Sequence, residues 1–154
     1  MLSMPDDPDL GALLAALFPR LIAMEEPILA AAGLSMWEYT IATELAAAEA
    51  LSQVELSRRT RRDPTRLGKH LDELESRGLV SRERSADQRQ RTVRLTRAGD
   101  KAYATAKRRI RAAEDELLAA ELSAADARRL RQLLTRLTRS SGSRKLGGAH
   151  PRDR

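Results

Sequence analysis

Apolar residues recur along this chain at two spacings, and the switch between them sets out the elements. From Asp9 to Ala32, leucine and alanine follow helical periodicity, so a first helix is expected there, stopped by Gly33. Pro19 and Pro27 fall inside it. Each lacks an N–H and crowds the preceding turn, so a kink or a break is expected. Ser35 followed by Glu38 is a capping box that opens a second helix, running to about Ala48. Ser52 with Glu55 repeats the pattern and opens a short third helix ending near Thr60. Asp63-Pro64 reads as an N-cap followed by a first-turn proline, the start of a fourth helix that Gly78 ends. Within it Leu67, Leu71 and Leu74 stand at i, i+4 and i+7, which is one buried face.

The period then changes. Leu79–Arg84 alternates in part, Thr92–Thr96 alternates cleanly, and the stretch Ser85–Arg91 between them is polar and charged. This predicts a two-stranded hairpin with a long tip. Thr96 caps a long helix to about Leu122, with Ala102, Ala106, Ile110, Ala113 and Leu117 along one stripe. Ser123 and Asp126 cap a last helix, whose apolar face is Leu130, Leu133, Leu134 and Leu137. The remainder, rich in Ser, Gly and Arg, lacks the apolar surface needed to offset ordering. The order is helix, helix, short helix, helix, hairpin, long helix, helix. The fold class is therefore mainly α with a small β-hairpin wing.

Charge changes the picture. The chain carries +6 overall with a pI near 10.4. Residues 1–51 hold one basic and eight acidic groups, residues 52–111 eighteen and eight, and residues 112–154 nine and six. A basic middle behind an acidic start is the pattern of a localised anion-binding face. Cysteine is absent, which excludes disulfides, thiolate metal sites and a cysteine nucleophile. Two histidines, His70 and His150, leave little for a metal, so no metal or cofactor is expected. Aromatics at 3% argue against base stacking on single strands. The acidic start, Asp6, Asp7 and Asp9, has the wrong sign for a signal peptide, and the charges and prolines in Leu10–Leu34 make membrane spanning costly. A cytoplasmic protein that does not engage a membrane is expected.

The helix from Ser52 to Thr60, the turn at Arg61-Arg62 and the helix from Asp63 form a helix-turn-helix, and the hairpin after it makes a winged helix. Such a unit suits duplex DNA, because a helix fits the major groove and a basic ribbon tip fits the minor groove. With the leucines turned inward, Thr65, Arg66, Lys69, His70 and Arg62 are expected to point outward. The proline at the first helical position leaves that N-terminus free to approach a phosphate. Ser52 and Gln53 open the helix that crosses the backbone. Arg84, Asp87, Arg89 and Arg91 belong to the wing. Phe18, Met24, Trp37, Tyr39 and Tyr103 are candidates for a ligand pocket, though aromatic residues at helical spacing also serve as core.

Asp87-Gln-Arg89 followed by Leu95-Thr96 and Gly99, with Leu74-Glu-Ser-Arg-Gly-Leu-Val80 and Arg82 upstream and Gly33-Leu-Ser before the second helix, resembles the MarR family of winged-helix transcriptional regulators. The resemblance covers about Gly33 to Leu137. It implies a homodimer built from N- and C-terminal dimerisation helices, with residues 1–34 the first such region, 35–96 the DNA-binding lobe, 97–140 the second, and 141–154 a disordered basic tail. It also implies a recognition helix reading a pseudo-palindromic operator in double-stranded DNA, and a wing arginine, here Arg89, in the minor groove. Asp87 would steady the wing by pairing with arginine, and a small aromatic effector would release the DNA. Gly68 departs from the family, which often has a hydroxyl there. Thr60 and Arg62 replace apolar turn residues.

Two other classes compete. A winged-helix protein-interaction module without sequence-specific DNA binding has only the charge in its favour. An enzyme would need a nucleophile–base–orienter set; carboxylates such as Asp72 and Glu75 lie on a charged helix face instead.

Overall fold

A computed structural model of the chain describes residues 7–84 and 91–140. The elements run α1 (Leu10–Ala31), α2 (Met36–Ala48), β1 (Ala50–Ser52), α3 (Gln53–Thr60), α4 (Pro64–Ser76), β2 (Val80–Arg84), β3 (Arg91–Leu95), α5 (Arg97–Ala119) and α6 (Ala124–Ser140). They fall into two compact units divided after Ala113.

Local chemistry explains the boundaries in the first unit. Asp9 caps α1 by accepting from the Ala12 N–H at 2.8 Å. Of the expected kink or break there is no break, since α1 is helical through both Pro19 and Pro27. The carbonyls these prolines leave unbonded belong to Ala15 and Ala23, which are exposed, so water can take the missing donor's place. Gly33, at φ 71°, ends the helix. The capping box at α2 is complete: Ser35 Oγ accepts from Glu38 N–H, and the Glu38 carboxylate accepts from Ser35 N–H.

The expected two-stranded hairpin is a three-stranded antiparallel sheet in the order β1-β3-β2. β1 pairs Leu51 with Val93 and Ser52 with Thr92, while β2 pairs Val80 with Leu95 and Arg84 with Arg91. The sequence hides β1 because three residues show no alternation, yet pairing them covers the edge of β3 and buries Leu51. Ser52 is both the last residue of β1 and the N-cap of α3, where its Oγ accepts from Glu55 N–H.

The core is continuous. Leu29, Ile41, Leu45, Leu56, Leu67, Leu71, Leu74, Val80, Val93, Ala106 and Ile110 are buried together. The three α4 leucines are among them, as the i, i+4, i+7 spacing predicts. Burying each contributes roughly 1.5–3 kcal/mol, and together they fix the inward face of α4.

In the second unit, α5 ends at Ala119, short of the expected Leu122, and the chain tightens there, with Glu121 N–H donating to the Leu118 carbonyl three residues back at 3.1 Å. Ser123 then caps α6 by accepting from Asp126 N–H. Arg131 of α6 reaches Glu114 and Asp115, each at 2.8 Å. Among the described residues no helix is long and apolar enough to cross a membrane.

Candidate nucleic-acid interface

Helix α4 is the centre of the site. Its buried leucines force the opposite face outward, and Thr65, Arg66 and Lys69 are exposed there as the periodicity predicts. The start of α4 is not an open anion site, however. The Asp63 carboxylate already accepts from the N–H groups of Thr65 and Arg66, both at 3.1 Å, and occupies the donors a phosphate would need. Arg66 also leans back on Asp63, Nε to Oδ2 at 3.5 Å. At 70% side-chain exposure it remains free to swing outward.

Four candidates are not on that outer face. Arg62 was expected to be surface-directed, but its guanidinium lies 3.8 Å from the Trp37 ring centroid, and its Nη2 is 3.3 Å from His70 Nε2. Its Nε is enclosed with no hydrogen-bond partner among the described residues. The cation–π contact, worth about 0.5–2 kcal/mol, draws the side chain back onto α2. His70 is consequently half-buried beneath it. Gln53 is half-buried as well, with its Oε1 enclosed and its Nε2 over Gly68. Ser52 is committed to its cap.

The base of the wing is well defined. Arg84 and Arg91 are directly opposite at the last described rung of the β2–β3 ladder, and both are exposed. Arg91, expected on the tip, is thus the first residue of β3. Like charges across a rung repel. An anion meeting this rung would relieve the repulsion. Asp87 and Arg89 lie outside the described residues. Below the rung, Arg82 is nearly buried and bonds Glu75 at 2.7 Å and Asp72 at 2.5 Å, tying β2 to α4. The hydrogen bonds Arg82 donates, first to Glu75 and then to Asp72, push its pKa further up. Both carboxylates are exposed, as expected of a charged helix face, and they also anchor the wing.

A second tie was also missed. Glu38, read only as a capping residue, is buried, and Arg77 at the end of α4 pairs with its carboxylate and also bonds the Gly33 carbonyl. Nothing in the sequence marks this pair, 39 residues apart. Glu38, His70 and Glu73 each bring one ligand-type atom within 4.8 Å of the others. Arg77 and Arg62 already lie against Glu38 and His70, so guanidinium groups fill the cation's place there.

On α3, Glu55 bonds Arg58 and Arg59, and Arg59 also faces Glu44 at 3.7 Å. The hydrogen bonds from Arg58 and then Arg59 hold the Glu55 carboxyl down at about 2. Val54, a residue no sequence signal singled out, is exposed beside Gln53.

The aromatic residues considered for a pocket go to separate places. Tyr39 packs on Tyr103 with centroids 5.5 Å apart, and Trp37 holds Arg62. Phe18 is exposed on α1, where Leu14, Ala15, Leu17, Phe18 and Leu21 line an apolar trough of about 350 Å³.

Comparison with known proteins places this geometry. The MarR family profile matches residues 32–91. A solved mutant of MarR from E. coli is 22% identical, with a TM-score of 0.77 over 86% of this chain and 98% of its own. A second structure of an E. coli MarR mutant, complexed with operator DNA, is 22% identical, with a TM-score of 0.69 over 83% and 92%. The MarR family protein Rv2887 of Mycobacterium tuberculosis, solved with salicylic acid, is 30% identical, with a TM-score of 0.70 over 87% and 99%. No curated protein matches the chain.

Proposed function

The chain belongs to the MarR family of winged-helix transcriptional regulators, and from that premise we propose that it is a sequence-specific, double-stranded-DNA-binding repressor. It acts as a homodimer on a pseudo-palindromic operator and is released by a small aromatic effector. One observation carries the DNA reading. The exposed Thr65, Arg66 and Lys69 of α4 and the Arg84–Arg91 rung form two cationic projections on one winged helix, which Arg82 ties together. A helix and a ribbon so charged match the major groove and the neighbouring backbone of a duplex.

The homodimer reading rests on apolar surface. Leu10, Leu13, Leu14 and Phe18 of α1 are exposed, and so are Leu133, Leu134 and Leu137 of α6. Contiguous apolar faces of this kind mark association surfaces. The relative solved with salicylic acid supports an aromatic carboxylate as the effector class. The operator complex of the E. coli protein shares the fold.

Fluorescence-anisotropy titration over a range of salt tests the reading. A specific complex loses affinity linearly in log[salt], with a slope near −0.9 for each phosphate neutralised. Arg66→Ala and Lys69→Ala should each weaken binding to a selected duplex by about 1–3 kcal/mol if they touch bases. A wild-type protein that binds selected and mixed-sequence duplexes equally at physiological salt would refute specific regulation and favour the protein-interaction module.

A further inference from the structure

Arg62 is the middle residue of the helix-turn-helix turn, between the α3 C-cap Arg61 and the α4 N-cap Asp63. Three elements converge on it. Its backbone is pinned to α3 from both sides: its N–H donates to the Ser57 carbonyl at 3.2 Å, and its own carbonyl accepts from Ser57 Oγ at 2.6 Å. Its side chain leaves α3 and sets its guanidinium carbon over the Trp37 ring of α2, 3.8 Å from the centroid. Its Nη2 then reaches His70, a residue of α4. Arg61, one residue earlier, is exposed at φ 51°, so the turn offers one arginine to solvent and withdraws the next.

An arginine held this way is poorly placed to grip a phosphate. Its Nε is enclosed, one face of the guanidinium is taken by indole, and one amino group is engaged by imidazole. A two-pronged phosphate contact would compete with the imidazole for Nη2 or need the enclosure around Nε opened. The same contacts are well suited to fixing how α4 is rotated against α2 and α3. That rotation decides where Thr65, Arg66 and Lys69 point, and base readout needs side-chain donors within hydrogen-bond reach of the base edges.

We propose that Arg62 is a positioning residue of the recognition helix: the Trp37–Arg62–His70 stack sets the orientation of α4, and Arg62 acts on DNA binding through it rather than by touching DNA. This rests on the DNA-binding reading above. The stack uses the planarity of the guanidinium as much as its charge, so lysine should not replace it.

The test uses the full-length protein and two duplexes: one selected by the wild type from a randomised pool, and a mixed-sequence duplex of equal length. Affinity for each is measured across salt. Arg62→Ala, Arg62→Lys and Trp37→Leu should each cut the preference for the selected duplex by about tenfold or more, while the salt slope on the mixed duplex stays as in the wild type. Trp37→Phe, which keeps an aromatic platform, should restore most of the preference. Trp37 is the only tryptophan, so its emission reads the stack directly. It should change in Arg62→Ala and Arg62→Lys without DNA present. If Arg62→Ala does not fold, Arg62→Lys and the Trp37 pair carry the comparison.

The proposal is overturned if Arg62→Ala lowers the slope by about one, Arg62→Lys restores binding, and Trp37→Leu is silent, because that is the signature of a phosphate contact. If the wild type itself selects no duplex, the DNA-binding reading fails first, and the two failures are told apart by that control.

Discussion

Gly99 sits in the first turn of α5, and a β-carbon built on it would stand 1.9 Å from the Leu79 carbonyl oxygen. The neighbour is backbone, so it cannot swing aside. Beside it, Thr96 Oγ1 donates to the Gly78 carbonyl at 2.6 Å and accepts from Gly99 N–H at 3.1 Å. The start of α5 is therefore seated directly on the start of β2. We expect Gly99→Ala to destabilise the protein by about 1–3 kcal/mol, read as a fall in the urea midpoint, because overpacking against backbone forces the chain apart. Glu55 supplies a pH dependence. Its carboxyl is lowered from 4.5 to about 2 by Arg58 and then Arg59. A depressed acid contributes stability that is complete above its unfolded pKa and lost as pH falls through the folded one. The wild type should thus be more stable than Glu55→Gln above pH 4.5, and the gap in Tm should close between pH 4.5 and 2. Salt should narrow the gap throughout, since the pair is exposed. A gap that widened on acidification would contradict the pairing.

At the scale of the element, the helix starts were the most legible feature. Ser35 with Glu38, Asp63 with Pro64, and Ser123 with Asp126 each announce a cap in adjacent residues, and each cap is made. The α4 leucines were legible for a similar reason, because the rule that buries them is local periodicity. What was not legible depends on partners distant in the chain. β1 exists because β3 has an edge to fill, and three residues cannot advertise that. Arg62 looked like any turn arginine until Trp37, 25 residues earlier, came to lie under it. Asp72 and Glu75 are exposed as expected, but their shared partner was hidden because Arg82 belongs to another element. The glycine inside α4 is the clearest element-scale prediction. A β-carbon at Gly68 would meet only Gln53 Nε2, at 3.9 Å, an ordinary contact. Gly68→Ala should raise stability by up to about 1 kcal/mol through helix propensity, seen as a higher Tm. It should leave duplex affinity within about twofold, since Gly68 is half-buried beneath the outer face.

For the molecule as a whole, the apolar positions the lobe does not use become decisive. Leu13 and Phe18 are more than half exposed on α1. The apolar stripe of α6 was read correctly from sequence, but Leu133, Leu134 and Leu137 are exposed on this chain. We expect Leu13→Glu with Phe18→Glu to shift sedimentation to the monomer and to abolish tight binding to a two-half-site duplex. Binding to a single half-site should be weak but retained, because linked sites gain from effective concentration. An unaltered dimer would refute the role of this face. The double role of Ser52 also reaches beyond any one protomer's stability. It is the last rung of β1 and the cap of α3 at once. An inserted residue at this seam would turn Leu51 out of the core or leave α3 without its cap. Deletions there fare no better. Among chains built on this plan, length should therefore vary at other joints, and the distance from this seam to the turn at Arg61 should be held constant.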